Sequence, residues 1–419
     1  MRDFLPADKA RREAILAVIR ASYRAHGFAE IETPVAEDAE RLHAGLGGDN
    51  EKLAFAIMRR GLTTQDLAAA AAPLELADLG LRFDLTVPLA RFYASHRAEL
   101  PTPFRAIQIA PVWRAERPQK GRFRQFVQCD IDIIGEAGAL AEVELLTATA
   151  ATLRALGVTG FTIRVNDRRL LTAMLDSFGF APEERDGVLI TVDKLDKVGV
   201  DGVVAELAER GSTPSAVEAL RAFLLRPETL EYRPFGEGQI RKALPAGLEH
   251  PAIAELAAIG EAVIAATGGQ EQVVRYDPWL VRGMGYYTGP IFEVVHPGLG
   301  YSFGGGGRYD GMIGRFLGED VPAAGISLGF ERLVDLVDLA ADAGQHAIAV
   351  VYDVAAPPAL VVAARDRFVA EGREVRLVRR PKQLGKALDA LAADGVGEFV
   401  LVDAASDPAA LEPRPLATS

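Results

Sequence analysis

Residues 113–135 read WRAERPQKGRFRQFVQCDIDIIG, and the alternation in their second half decides the fold. Side chains of a strand point to opposite faces in turn, so Val127, Cys129, Ile131 and Ile133 share an apolar face, while Gln128, Asp130 and Asp132 share a polar one. Just upstream, Phe104 to Trp113 places Ile107, Ile109 and Trp113 at even spacings. Two such runs joined by RAERPQKGR predict an antiparallel hairpin at the centre of an α+β fold. Three polar groups on a sheet face need partners if that face is covered, which makes the face a candidate site.

Outward from the hairpin, Asp8 to His26 carries Ile15, Ile19 and Tyr23 four residues apart, and Gly27 is placed to end an amphipathic helix. Phe28 to Ile31 reads as a short strand, and Ala36 to Ala72 as helical or irregular. Helical segments fill about 140 to 270, strand-like runs return at Ile291 to Val295 and Tyr301 to Phe303, and GGGGRYDG reads as a glycine-rich turn before a helix near 329 to 339, its glycines letting backbone strands approach a ligand or one another. Beyond a small polar linker at Ala341 to Gln345, strand-like 347–352, 374–378 and 399–402 alternate with helix-like 359–370 and 382–393, the order of a small α/β domain. The last residues, ASDPAALEPRPLATS, read as a frayed tail. The expected domains are therefore 1–340, with a helical insertion at about 170–270, and a shortened 346–419.

The 419 residues carry 46 basic and 58 acidic side chains, a net charge of −12, so general adhesion to polyanions is excluded and any phosphate contact must be local. The single cysteine, Cys129, rules out an internal disulfide and any multi-cysteine metal cluster, and six scattered histidines offer no metal-ligand spacing. Neither a signal core nor a run of about 18 apolar residues is found, so a cytoplasmic protein with no membrane contact is expected. Positive charge does concentrate in two places. The hairpin loop holds Arg114, Arg117, Lys120, Arg122 and Arg124 against Glu116, and Arg365 to Lys386 holds eight basic residues against three acids. Arginines for phosphates beside acids for an ammonium or imidazole suit a site that joins a nucleotide to a cationic small molecule.

The hairpin sequence resembles motif 2 of the class II aminoacyl-tRNA synthetases, in the form of the histidyl-tRNA synthetases. LVRGMGYYTGPIFE at 280–293 is similar to that family's histidine-binding signature and GISLGFERL at 325–333 to class II motif 3. RDFLP, GFAEIETP and LRFDLTVPLAR follow in the same order. QCDIDI, LRFDLTVP and VDKLDKVGVDGV are worded like the eukaryote-like branch. Gly285 stands where the family commonly has an acid, and the family's last strand with its Gly-Glu-Gln ending is not found.

The resemblance implies a class II antiparallel sheet flanked by helices, with a C-terminal domain similar to an anticodon-binding one. It implies a histidine–tRNA ligase that uses ATP with Mg²⁺, L-histidine and tRNA(His), and that works as a homodimer. It also implies roles. Arg282 is the catalytic arginine at the α-phosphate, and Arg114 contacts both that phosphate and the histidine carboxylate. Glu116 reads adenine, Phe126 stacks on it, and Arg122 and Arg332 hold the outer phosphates. Asp84, Thr86 and Gln128 hold the α-ammonium, while Asp132 and Tyr287, with Tyr286 nearby, bind the imidazole. The competing expectation is the synthetase-like regulatory subunit of ATP phosphoribosyltransferase, which senses histidine without charging tRNA. A third is an amino-acid adenylating enzyme with another acceptor.

Overall fold

The computed structural model describes residues 1–43, 53–117, 123–226, 235–270, 273–282, 286–338 and 347–416. Arg122, Lys120, Gly285 and the 341–345 linker lie outside the described residues. The chain forms two compact units, residues 1–2 with 18–337 and residues 3–17 with 338–419.

In the first unit the strands are β1 (Ala29–Glu30), β2 (Ala36–Asp38), β3 (Phe55–Met58), β4 (Ala77–Leu81), β5 (Phe104–Trp113), β6 (Gln125–Ile134), β7 (Thr162–Asp167), β8 (Val274–Tyr276), β9 (Pro290–Val295), β10 (Gly304–Arg308) and β11 (Ala323–Gly329). Eight of them form one sheet in the order β1-β5-β6-β11-β10-β9-β7-β8. The six inner strands run antiparallel, and β1 and β8 add a parallel strand at each edge. The hairpin β5–β6 pairs from Phe104 with Ile134 to Trp113 with Gln125. Its apolar face is buried, with Cys129, Ile131 and Ile133 at 0% exposure. Cys129 is a core side chain, as its place on the apolar face requires.

The glycine run is not a turn. Gly304–Arg308 is β10, paired on both sides in the middle of the sheet. A Cβ on Gly306 would fall 2.0 Å from the Gly325 carbonyl oxygen and one on Gly307 2.7 Å from that of Pro290, so these neighbours approach closer than any side chain allows. The close approach of backbone strands expected of these glycines is present, in a strand rather than a turn. Residues 36–72, expected to be helical or irregular, hold the helices Ala39–His43 and Thr64–Ala69 but also contribute β2 and β3 of a small antiparallel sheet, β2-β4-β3. The segment at about 170–270 is helical as expected: Arg168–Phe178, Arg185–Val192, Leu195–Glu209, Pro214–Leu224, Glu237–Ala243 and Ala252–Ala266.

In the second unit β12 (Ala347–Tyr352), β13 (Glu374–Arg379), β14 (Glu398–Val402) and β15 (Arg414–Pro415) form a sheet in the order β13-β12-β14-β15. Helices Pro358–Ala370 and Leu384–Ala393 connect its parallel strands. The C-terminal stretch read as frayed is held. β15 pairs antiparallel with β14, and the Arg367 guanidinium donates to the carbonyls of Pro408, Ala409 and Leu411 at 2.9, 3.1 and 2.9 Å. Periodicity could not show this, because one arginine collecting three carbonyls leaves no pattern in the tail itself.

Candidate active site

Every described residue to which the resemblance gave a role lines one cleft of about 320 Å³ on the polar face of the large sheet: Asp84, Thr86, Arg114, Glu116, Phe126, Gln128, Asp132, Arg282, Tyr286, Tyr287 and Arg332. The sheet supplies the geometry. Across β6 and β11, Asp132 stands opposite Gly325, Asp130 opposite Ser327 and Gln128 opposite Gly329, so each polar side chain of β6 projects over a small residue. A Cβ on Gly325 would lie 1.8 Å from Asp132 Oδ1, and one on Gly305 2.6 Å from the Arg282 Cζ. The glycines make room for the charged groups.

Asp84 sits just before the helix Thr86–His96, where Oδ1 accepts from the Val87 N–H at 3.2 Å. Arg114 leaves the end of β5, donates from Nε to the Phe83 carbonyl at 3.0 Å and lies 5.1 Å from the Phe126 ring centre. Arg282 is steadied by Glu293 of β9, with Nη1 3.1 Å from Oε1. Arg332, on the short helix after β11, donates to the Ser302 carbonyl at 2.6 Å and packs over Tyr301. The rings of Tyr286 and Tyr287 lie 4.7 Å apart, tilted by 55°, and Tyr309 meets Tyr286 edge-on at 6.2 Å.

The cleft is electrostatically divided. Guanidinium groups of Arg114, Arg282 and Arg332 line it beside three buried carboxyls, Asp84, Asp130 and Asp132, which are 3%, 4% and 3% exposed. Burial pushes Asp84 up to about 6, against the pull of the Val87 N–H and Arg114. Burial pushes Asp132 up to about 7; the Tyr309 hydroxyl restrains it and Asp84 adds to it. Burial and the neighbouring Asp132 hold Asp130 well above the usual carboxylate range. Such a cluster favours a cationic ligand. Three buried atoms in the same cleft also lack a hydrogen-bond partner among the described residues: Asp84 Oδ2, Gln128 Oε1 and Arg282 Nε. Two acceptors and one donor left unmatched ask for a ligand with the opposite groups.

Sequence reading missed Tyr309, whose hydroxyl donates to Asp132 Oδ1 at 2.5 Å, and Ser327, which accepts from Gln128 Nε2 at 2.9 Å. It also missed Glu331. That side chain accepts from the Val127 N–H at 3.3 Å and pairs with Arg2 at 3.0 Å, beside the ring of Phe123. Tyr309 directly follows the glycine strand, and its alternation with Gly307 was the available signal.

A central antiparallel sheet with this hairpin, its arginine and a following strand–helix arginine is the fold of a class II aminoacyl-tRNA synthetase. The model of the histidyl-tRNA synthetase family matches residues 1–333. A histidine–tRNA ligase from Leifsonia xyli subsp. xyli is 59% identical over 422 residues, spanning 99% of this chain and 97% of that protein. The crystal structure of histidyl-tRNA synthetase from Nostoc sp. PCC 7120 superposes with a TM-score of 0.74 at 27% identity, covering 96% of this chain and 90% of that one. A Bacillus halodurans structure described as an ATP phosphoribosyltransferase regulatory subunit/histidyl-tRNA synthetase gives 0.75 at 21% identity over 97% of each chain, which is likeness of fold alone. The chain belongs to the histidyl-tRNA synthetase family. Its 59% identical relative is bacterial, so the eukaryote-like affinity expected from the motif wording is not supported.

Proposed function

We propose that this chain is a histidine–tRNA ligase that forms histidyl-adenylate from L-histidine and ATP and transfers the histidyl group to the 3′ end of tRNA(His). The observation that carries this reading is the pair of unmatched buried acceptors, Asp84 Oδ2 and Gln128 Oε1, in a cleft that also holds Arg114 and Arg282. An ammonium meets the acceptors, and a carboxylate and a phosphate meet the guanidinium groups.

Asp84, Thr86 and Gln128 receive the α-ammonium. Asp132, held by Tyr309, accepts from one imidazole nitrogen, and Tyr287 meets the other, so a side chain without these groups leaves buried polar atoms unpaired. Glu116 and Phe126 bind adenine, and Arg332 and Arg122 hold the outer phosphates. The histidine carboxylate attacks the α-phosphorus in line and pyrophosphate leaves, with Arg114 and Arg282 neutralising the charge that builds on the phosphoryl oxygens. No general base is required. Mg²⁺ arrives with ATP as part of the substrate. Residues 1–340 serve as the catalytic domain and 346–419 as a domain similar to an anticodon-binding one, in a cytoplasmic homodimer.

Histidine-dependent exchange of pyrophosphate into ATP, followed by charging of tRNA(His), tests the reading. Folded protein that binds histidine without exchange leaves a histidine-sensing regulatory subunit, and exchange without charging leaves an adenylating enzyme with another acceptor. Sedimentation as a monomer overturns the dimer.

A further inference from the structure

An amide has two chemically opposite ends, and what Gln128 offers the cleft depends on which end faces it. Its Nε2 donates to Ser327 Oγ at 2.9 Å and lies 3.4 and 3.3 Å from the two oxygens of Asp130. Ser327 stands directly opposite Asp130 across β6 and β11 and bonds to it in turn, closing a triangle. Gln128 Oε1 is left buried with no donor. Nε2 faces Ser327 Oγ and both Asp130 oxygens, at least one of which accepts in either protonation state, so the amide sits N–H toward the triangle and C=O toward the cleft.

We propose that Asp130 and Ser327 are positioning residues that lock Gln128 with its carbonyl oxygen turned to the cleft, where it accepts from the α-ammonium of the substrate. This rests on the cleft being the histidine site. The lock sets a specificity that the imidazole contacts cannot supply, between the amino acid and the same acid without its amino group. Released, the amide can turn its N–H groups toward the ammonium, which sets donor against donor. An acid that serves only to satisfy the core predicts instead that every ligand of the cleft weakens together.

The test uses the full-length protein, with L-histidine and 3-(imidazol-4-yl)propanoate, which is histidine lacking the amino group, as paired probes. Calorimetric affinities are measured for the wild type, Asp130→Asn and Ser327→Ala, with Gln128→Ala as the benchmark for complete loss. Asp130→Asn keeps the shape but replaces one accepting oxygen with a donor. The expected result is that histidine weakens about tenfold in each variant while the propanoate changes less than about twofold, moving the preference toward that of Gln128→Ala. A preference that stays at the wild-type value, whether both affinities fall together or neither moves, overturns the proposal. Ser327→Ala, a single-oxygen deletion, keeps the test open if Asp130→Asn fails to fold. Wild-type protein that binds neither probe sinks the histidine reading of the cleft itself.

Discussion

Asp132 illustrates how a single buried carboxyl trades stability for recognition. An unfolded aspartate titrates near 3.9, whereas here burial has raised Asp132 to about 7 and Asp84 to about 6. The folded, ligand-free protein therefore holds these protons longer than the unfolded chain, and the stability they contribute, complete below about pH 4, is lost as pH rises through 6 and 7. Asp132→Asn should raise the ligand-free melting point at pH 8, by about 1 kcal/mol or more in stability, with no such gain at pH 4, while histidine affinity falls. Equal shifts at both pH values would contradict this. At Arg282 the expected effect is kinetic. Arg282→Ala should lower kcat of pyrophosphate exchange by roughly 10²- to 10³-fold while calorimetric histidine affinity changes far less, and equal losses in both would refute its role. The arginines and most acids of the cleft were legible because each lies in a motif, although Glu331, inside GISLGFERL, was missed. Tyr309 and Ser327 were not legible, because their partners, Asp132 and Gln128, are 177 and 199 residues away in the chain.

At the scale of the element, β10 shows why composition can mislead. Four consecutive glycines read as a turn, since glycine weakens a strand, yet the pairing of β10 with both β9 and β11 requires them. Gly306→Ala should cost about 3 kcal/mol or prevent folding, because its Cβ meets backbone on the neighbouring strand. Gly311→Ala should do the reverse. That residue lies in the helix Asp310–Leu317 with nothing within 4 Å of an added Cβ, so a gain of about 0.5–1 kcal/mol is expected. Denaturant unfolding of the two variants makes the comparison. β9 carries the related case of Glu293, which holds Arg282 from the strand beside β10. Glu293→Gln should lower kcat of exchange about tenfold with a smaller change in KM, and Glu293→Asp should recover part of it. Strands β5 and β6 were legible to the residue because one face is buried along their length and period-two alternation survives in the sequence.

For the molecule as a whole, the excess of basic residues in 365–386 is smaller than it looks. Arg365, Arg367, Arg373 and Arg376 are engaged with Asp366, Glu371, Glu398 and Asp394; the exposed Arg379, Arg380, Lys382 and Lys386 are the residues we propose for contact with an RNA backbone. Replacing Arg379, Arg380 and Lys382 with glutamine should raise the KM for tRNA about tenfold, flatten its salt dependence and leave pyrophosphate exchange unchanged. By itself the sequence determined the central hairpin, the helical run that follows it, the α/β character of the C-terminal unit and nearly all the charged residues of the cleft, because these reside in local periodicity and contiguous motifs. Tertiary structure alone decided that the glycines form a strand, that the tail is held by Arg367, and that Tyr309 bonds to Asp132 while Ser327 and Asp130 meet the Gln128 amide. Those contacts join residues far apart in the chain, and no local pattern encodes a hydrogen bond or a close approach that exists only once the strands have been brought side by side.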